Sequence, residues 1–86
     1  MKNINKIILE GNIGKDAEVR AMNGTSKLVS FPLATTKRWK DRASKEQKER
    51  TTWHKVVVFD AKLVDVATKA AKKGRRLSVV GELQKS

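Results

Sequence analysis

The run Thr51-Thr52-Trp53-His54-Lys55-Val56-Val57-Val58-Phe59 constrains the chain most. It is β-branched and aromatic, contains no Gly or Pro, and is flanked by polar segments, so it predicts a strand. Side chains alternate across a strand. Trp53, Lys55, Val57 and Phe59 therefore share one face. His54, Val56 and Val58 share the other, which is apolar enough to enter a core. Two rings around a cation suit either an ordinary core position or an open platform. The rest of the chain separates the two.

Upstream, residues 4–13 predict a first strand with Ile4, Ile8 and Leu9 as apolar anchors and Gly11 at a bend or bulge. Gly14-Lys15-Asp16 is a turn, residues 17–22 continue the sheet past it, and Asn23-Gly24 is a strong turn signal. Residues 27–36 predict a second strand. Pro32 lies inside it and cannot donate a ladder hydrogen bond, which predicts an edge or a bulge there. Residues 37–50 hold seven cations against three acids and almost nothing apolar except Trp39. They predict a long, mobile hairpin loop, and a loop of that length usually serves a function.

Downstream, Asp60 is placed to cap a helix over residues 61–73. Leu63, Val66, Ala67 and Ala70 fall at i, i+3, i+4 and i+7, one apolar stripe. Gly74 is the expected stop. Lys69, Lys72, Lys73, Arg75 and Arg76 crowd the last turn and just beyond, more than the helix dipole needs. Residues 77–83 predict a fourth strand. The order strand, strand, strand, helix, strand fits an all-β domain with one helix: an OB-fold Greek-key barrel, here a single domain over residues 1–86.

Charge narrows the function. Lys and Arg number 20 against nine Asp and Glu, a net +11 in 86 residues. A small domain so basic repels itself unless a polyanion neutralises it, and nucleic acid is the leading partner class. Cations flanking exposed rings suit base stacking beside phosphate. With no Cys and a single His, neither a disulfide framework nor a zinc site is expected, and no cofactor is implied. No apolar run reaches the ~18 residues of a membrane span. A basic amphipathic membrane helix is disfavoured because the helix is Ala-rich on its apolar side. The default is an intracellular, cytoplasmic protein. Catalysis is not expected: Asp16 and Glu18 are the closest early acid pair, and His54 has no Ser or Cys partner.

Four segments resemble the bacterial single-stranded DNA-binding protein family. They are Asn5-Lys6-Ile7-Ile8-Leu9-Glu10-Gly11-Asn12-Ile13-Gly14-Lys15-Asp16; Phe31-Pro32-Leu33-Ala34-Thr35 with Arg38-Trp39-Lys40-Asp41; Thr52-Trp53-His54-Lys55-Val56-Val57-Val58-Phe59; and Leu63, Val66-Ala67, Lys73-Gly74 and Val80-Gly81-Glu82-Leu83. The resemblance implies an OB-fold that assembles as a homo-oligomer, dimer or tetramer. It implies sequence-independent binding and protection of single-stranded DNA in replication, recombination and repair, near the bacterial nucleoid. It also implies base stacking on Trp39, Trp53 and Phe59 and places the residue matching His54 near a subunit interface.

Beside the rings, Lys55 is expected to meet phosphate, Lys37, Arg38 and Lys40 to clamp the strand, and Lys6, Lys62 and Lys73 to line the margins. After the Gly-Glu-Leu strand this sequence departs from the family pattern. The expectation is a barrel lacking its own fifth strand, without the acidic C-terminal tail that recruits other proteins, and with an open edge that invites another strand. The alternative on the same fold is an RNA-binding or primosome-type assembly factor.

Overall fold

The computed structural model describes residues 2–84 except 23 and 25. Five strands and one helix follow one another: β1 Ile7–Ile13, β2 Glu18–Ala21, β3 Lys27–Lys40, β4 Gln47–Val58, α1 Ala61–Ala70 and β5 Arg76–Gly81. All pairings are antiparallel. The sheet runs β2-β3-β1-β5, and β4 pairs with β3. Counting β2 as the continuation of β1 past its turn recovers the expected element order. No strand follows β5 among the described residues, and the barrel is an open sheet whose outer strands are β2, β4 and β5.

The core is thin. Ile13, Val29, Phe31, Leu33, Val64 and Ala71 are its buried hydrophobics among the described residues. Leu9, Val56, Val58, Ala67, Leu77 and Val79 pack against them partly buried. Burying a Val, Leu, Ile or Phe side chain stabilises by about 1.5–3 kcal/mol, so few residues hold this fold. Parity in β1 corrects one expectation. Leu9 and Ile13 point inward, so Ile8 faces out, and Ile4 before the strand is also exposed.

Pro32 sits mid-strand rather than at an edge or bulge. Opposite it on β4 is Lys55. On its other side β3 pairs with β2 up to Ser30 and with β1 from Leu33, so Pro32 falls where the partner changes. Its carbonyl accepts from Gly14 N–H at 3.1 Å on that side. The N and C=O of one strand residue point the same way. The missing N–H therefore falls in the gap between partners.

Residues 37–50 are a β-ribbon, not a mobile loop. β3 and β4 stay in register from Val29↔Val58 out to Lys40↔Gln47. Thr36 and Thr51 hydroxyls are 3.2 Å apart, and Arg38 Nε donates to Glu49 at 3.0 Å. Asp41 closes the tip by accepting from the amides of Ala43 and Ser44, at 2.8 and 3.2 Å. Lys45 takes a left-handed φ of 61° to complete the turn. Polar composition hid this hairpin because its cohesion comes from backbone pairing and turn chemistry rather than burial. The ribbon explains the radius of gyration of 16.1 Å, against ~12 Å for a compact domain of this length.

Asp60 caps α1 as expected, accepting from Lys62 N–H at 2.9 Å. The buried stripe is Val64, Ala67 and Ala71, one residue on from the expected one, and Leu63 and Val66 are exposed. The helix also ends three residues early. Ala17 N–H takes the carbonyl of Ala71 at 2.8 Å, and Asp16 takes the amide of Lys73 at 2.8 Å. These tertiary bonds draw the chain out of the helix before Gly74, whose φ of 88° turns it into β5. Asn23 of the expected Asn-Gly turn lies outside the described residues; Met22 N–H donates to the Ser26 carbonyl across that turn at 2.8 Å.

Candidate nucleic-acid interface

Register decides which side chains share a face. Val29, Phe31 and Leu33 stand opposite Val58, Val56 and His54 and turn inward. Ser30, Pro32 and Ala34 stand opposite Val57, Lys55 and Trp53 and turn outward. His54 is half-buried on the inner side, 2.9 Å from the Thr35 hydroxyl through Nε2. Trp53 is 61 % exposed. The platform is therefore open, and the core alternative for Trp53 is excluded.

Gly14 makes room for the ring. A Cβ there would come within 2.5 Å of Trp53 Cζ3 and 2.8 Å of Cη2, with Pro32 Cγ at 3.5 Å. The indole lies against the Gly14 backbone, and the Pro32 ring lines the same cleft. Lys15 and Lys55 line the same open cleft, as do Asp16, Glu18 and Ser30. Sequence reasoning missed Lys15, because Gly14-Lys15-Asp16 carries a turn signal and nothing that locates it beside a strand 38 residues later. Asp16 binds the Lys73 amide, which ties Lys73 to the rim of this cleft.

The other expected residues are spread out. Phe59 is the first residue beyond β4 and is 54 % exposed, so it stands outside the strand whose parity was to align it with Trp53. Trp39 is 40 % exposed but lies on the opposite face from Trp53. Positions 37 and 39 of β3 share the parity of Leu33, and positions 38 and 40 that of Ala34. Lys37 thus accompanies Trp39, and Lys40 accompanies Trp53 on its face at the distal end. Arg38 shares that face and is engaged by Glu49 at 3.0 Å. Lys6 precedes β1, and Lys62 is in the first turn of α1, both exposed and away from the Trp53 cleft lining.

One carboxylate is perturbed. Ser78 Oγ donates to Glu10 at 2.8 Å and Arg76 Nη2 at 3.1 Å. Hydrogen bonds from Ser78 and then Arg76, with the charge of Arg76, hold the Glu10 carboxyl below the usual range. This cluster staples β1 to β5 on the outer face, away from the cleft.

An open OB-fold sheet with exposed indole beside lysine is the class of a nucleic-acid-binding domain. The sequence matches the Single-strand binding protein family over residues 4–86. It is 47% identical over 81 residues to a single-stranded DNA-binding protein of Rickettsia felis, covering 94% of this chain and 53% of that protein. The corresponding Rickettsia prowazekii protein is 46% identical over the same share. A Plasmodium falciparum SSB in complex with ssDNA superposes with a TM-score of 0.86 at 41% identity, covering 95% of this chain and 72% of that one. This chain belongs to the Single-strand binding protein family. It spans about half the length of the curated relatives it matches.

Proposed function

We propose that this protein binds single-stranded DNA with little sequence preference, serving replication, recombination and repair. The observation that carries this reading is Trp53, seated on Gly14 with Pro32, Lys55 and Lys15 lining the same cleft and more than half its surface open. Every base offers a π-face, so such a platform tolerates any sequence, at about 1–3 kcal/mol per stacked base. Trp39 and Phe59 offer further stacking surfaces. Lys55, Lys37, Arg38, Lys40, Lys6, Lys62 and Lys73 are the phosphate contacts assigned here. Binding of ssDNA by the Plasmodium neighbour supports the same ligand.

The role is binding rather than catalysis, in keeping with the family. Assembly into a homo-oligomer is supported by the outer edges of β4 and β5, which pair with no strand among the described residues. His54, partly exposed on the inner face where the ladder leaves the core, is assigned to a subunit contact. No described helix is long and apolar enough to cross a membrane. The location this reading assigns is the bacterial cytoplasm, at the nucleoid.

Titrating intrinsic Trp fluorescence with oligo(dT) tests the reading. Quenching should be strong at low salt, and log affinity should fall with log salt by ~0.7 per neutralised phosphate. Absence of quenching sinks it. Tighter binding of matched single-stranded RNA would move the protein to the RNA-binding alternative.

A further inference from the structure

We propose that the solvent side of α1 is a protein-docking surface, a short seam of Leu63, Val66 and Ala70 flanked by Lys69. Its partner is an amphipathic helix of another protein that carries acidic residues beside its apolar stripe. The inference does not depend on the single-strand reading above.

A surface helix ordinarily turns one apolar stripe to the core and keeps the opposite side polar. α1 carries two stripes. Val64, Ala67 and Ala71 are set against the core. Leu63, Val66 and Ala70 form the second, about a third of a turn away on the helix surface. Leu63 is 52 % exposed and Val66 61 %. Ala70 is half-buried. All three lie outside the lining of the Trp53 cleft. The steps from 63 to 66 and from 66 to 70 are the a-d-a spacing of a heptad, the seam against which a second helix packs.

Charge says which helix fits. Lys62 and Lys69 directly precede Leu63 and Ala70 and so hold the g positions, where charge sets the choice of partner. Among the described residues Lys69 has no ion pair, although Asp65 stands one turn before it. Arg75 Nη1 donates to the Lys69 carbonyl at 3.3 Å, which brings a second cation to the same end. Lys69 and Arg75 belong to the cluster that exceeds the needs of the helix dipole, and the phosphate contacts assigned above leave them unused. A second copy does not suit this face. Packed antiparallel, its Lys62 and Lys69 would meet Lys69 and Lys62 of the first, like against like. Glutamates beside an apolar stripe complement it instead. The seam is only two heptad steps long, so the contact belongs to the small, transient class of interface.

The probe is a labelled peptide of about three heptads with Leu at a and d and Glu at e and g, whose own charges oppose self-pairing. Fluorescence polarisation should show that it binds the wild-type protein. Leu63→Gln with Val66→Gln should weaken that binding at least ~tenfold while leaving oligo(dT) affinity unchanged. Lys69→Glu should weaken the Glu-flanked peptide by roughly two- to fivefold and favour the same peptide with Lys at e and g. Unchanged circular dichroism controls for folding. Failure of the peptide to bind overturns the proposal. So does binding indifferent to the Leu63 and Val66 changes, because an acidic peptide is then held by basic surface alone. Wild-type self-association abolished by those changes also overturns it, since the occupant is then a second copy. Failure of oligo(dT) to quench the tryptophans touches only the single-strand reading.

Discussion

Two halves of one ladder are held together by different physics. Pairs 29–34 with 53–58 lie over the core, where Val29 and Leu33 are fully buried. Pairs 35–40 with 47–52 run on in the same register with no core beneath them. There the bonds are a Thr36–Thr51 contact, an Arg38–Glu49 pair and the Asp41 turn. The near half places one Trp on a shelf at Gly14, and the far half presents another on a bare ribbon. An extended hairpin thus carries aromatic surface far beyond the small volume that stabilises it.

The largest expected effect tests the near half. Leu33→Ala should cost about 2–5 kcal/mol in urea unfolding, since the thin core has little with which to refill the cavity. A loss well under 1 kcal/mol would mean that the near half does not depend on burial. Next, Trp53→Ala should weaken oligo(dT) binding by ~1–3 kcal/mol, while Lys45→Ala at the ribbon tip should matter far less. Equal losses would mean that charge alone drives binding and that the shelf is incidental.

Smaller effects probe the far half. A double-mutant cycle on Arg38 and Glu49 should give a coupling of only ~0.2–1 kcal/mol, because both side chains are more than half exposed. A coupling above ~2 kcal/mol would make that ion pair, not the backbone ladder, the ribbon's main support. The smallest effect belongs to the β1–β5 staple. Glu10 has a lowered pKa, so its contribution is present above the unfolded carboxyl value and disappears as pH falls through the folded one. The stability gap between wild type and Glu10→Gln should therefore narrow between about pH 7 and pH 3. A gap independent of pH would show that the Ser78 and Arg76 contacts do not favour the charged form.

Residue order by itself determined the strand at its centre, the facing of Trp53 against His54, the Asp60 cap and the likeness to single-strand binding proteins. Each rests on local periodicity or on a motif, which neighbouring residues carry between them. Tertiary structure alone decided the rest. Parity in β1 turned Ile8 outward, and docking rotated the buried helix stripe onto Val64 and Ala71. Capture of Ala71 and Lys73 by residues 16–17 ended α1 early. Cross-strand pairing made a ribbon of a stretch whose composition resembles a loop, and so put Trp39 and Trp53 on opposite faces. These outcomes depend on hydrogen bonds between residues far apart in the chain, and short-range pattern holds no information about such partners.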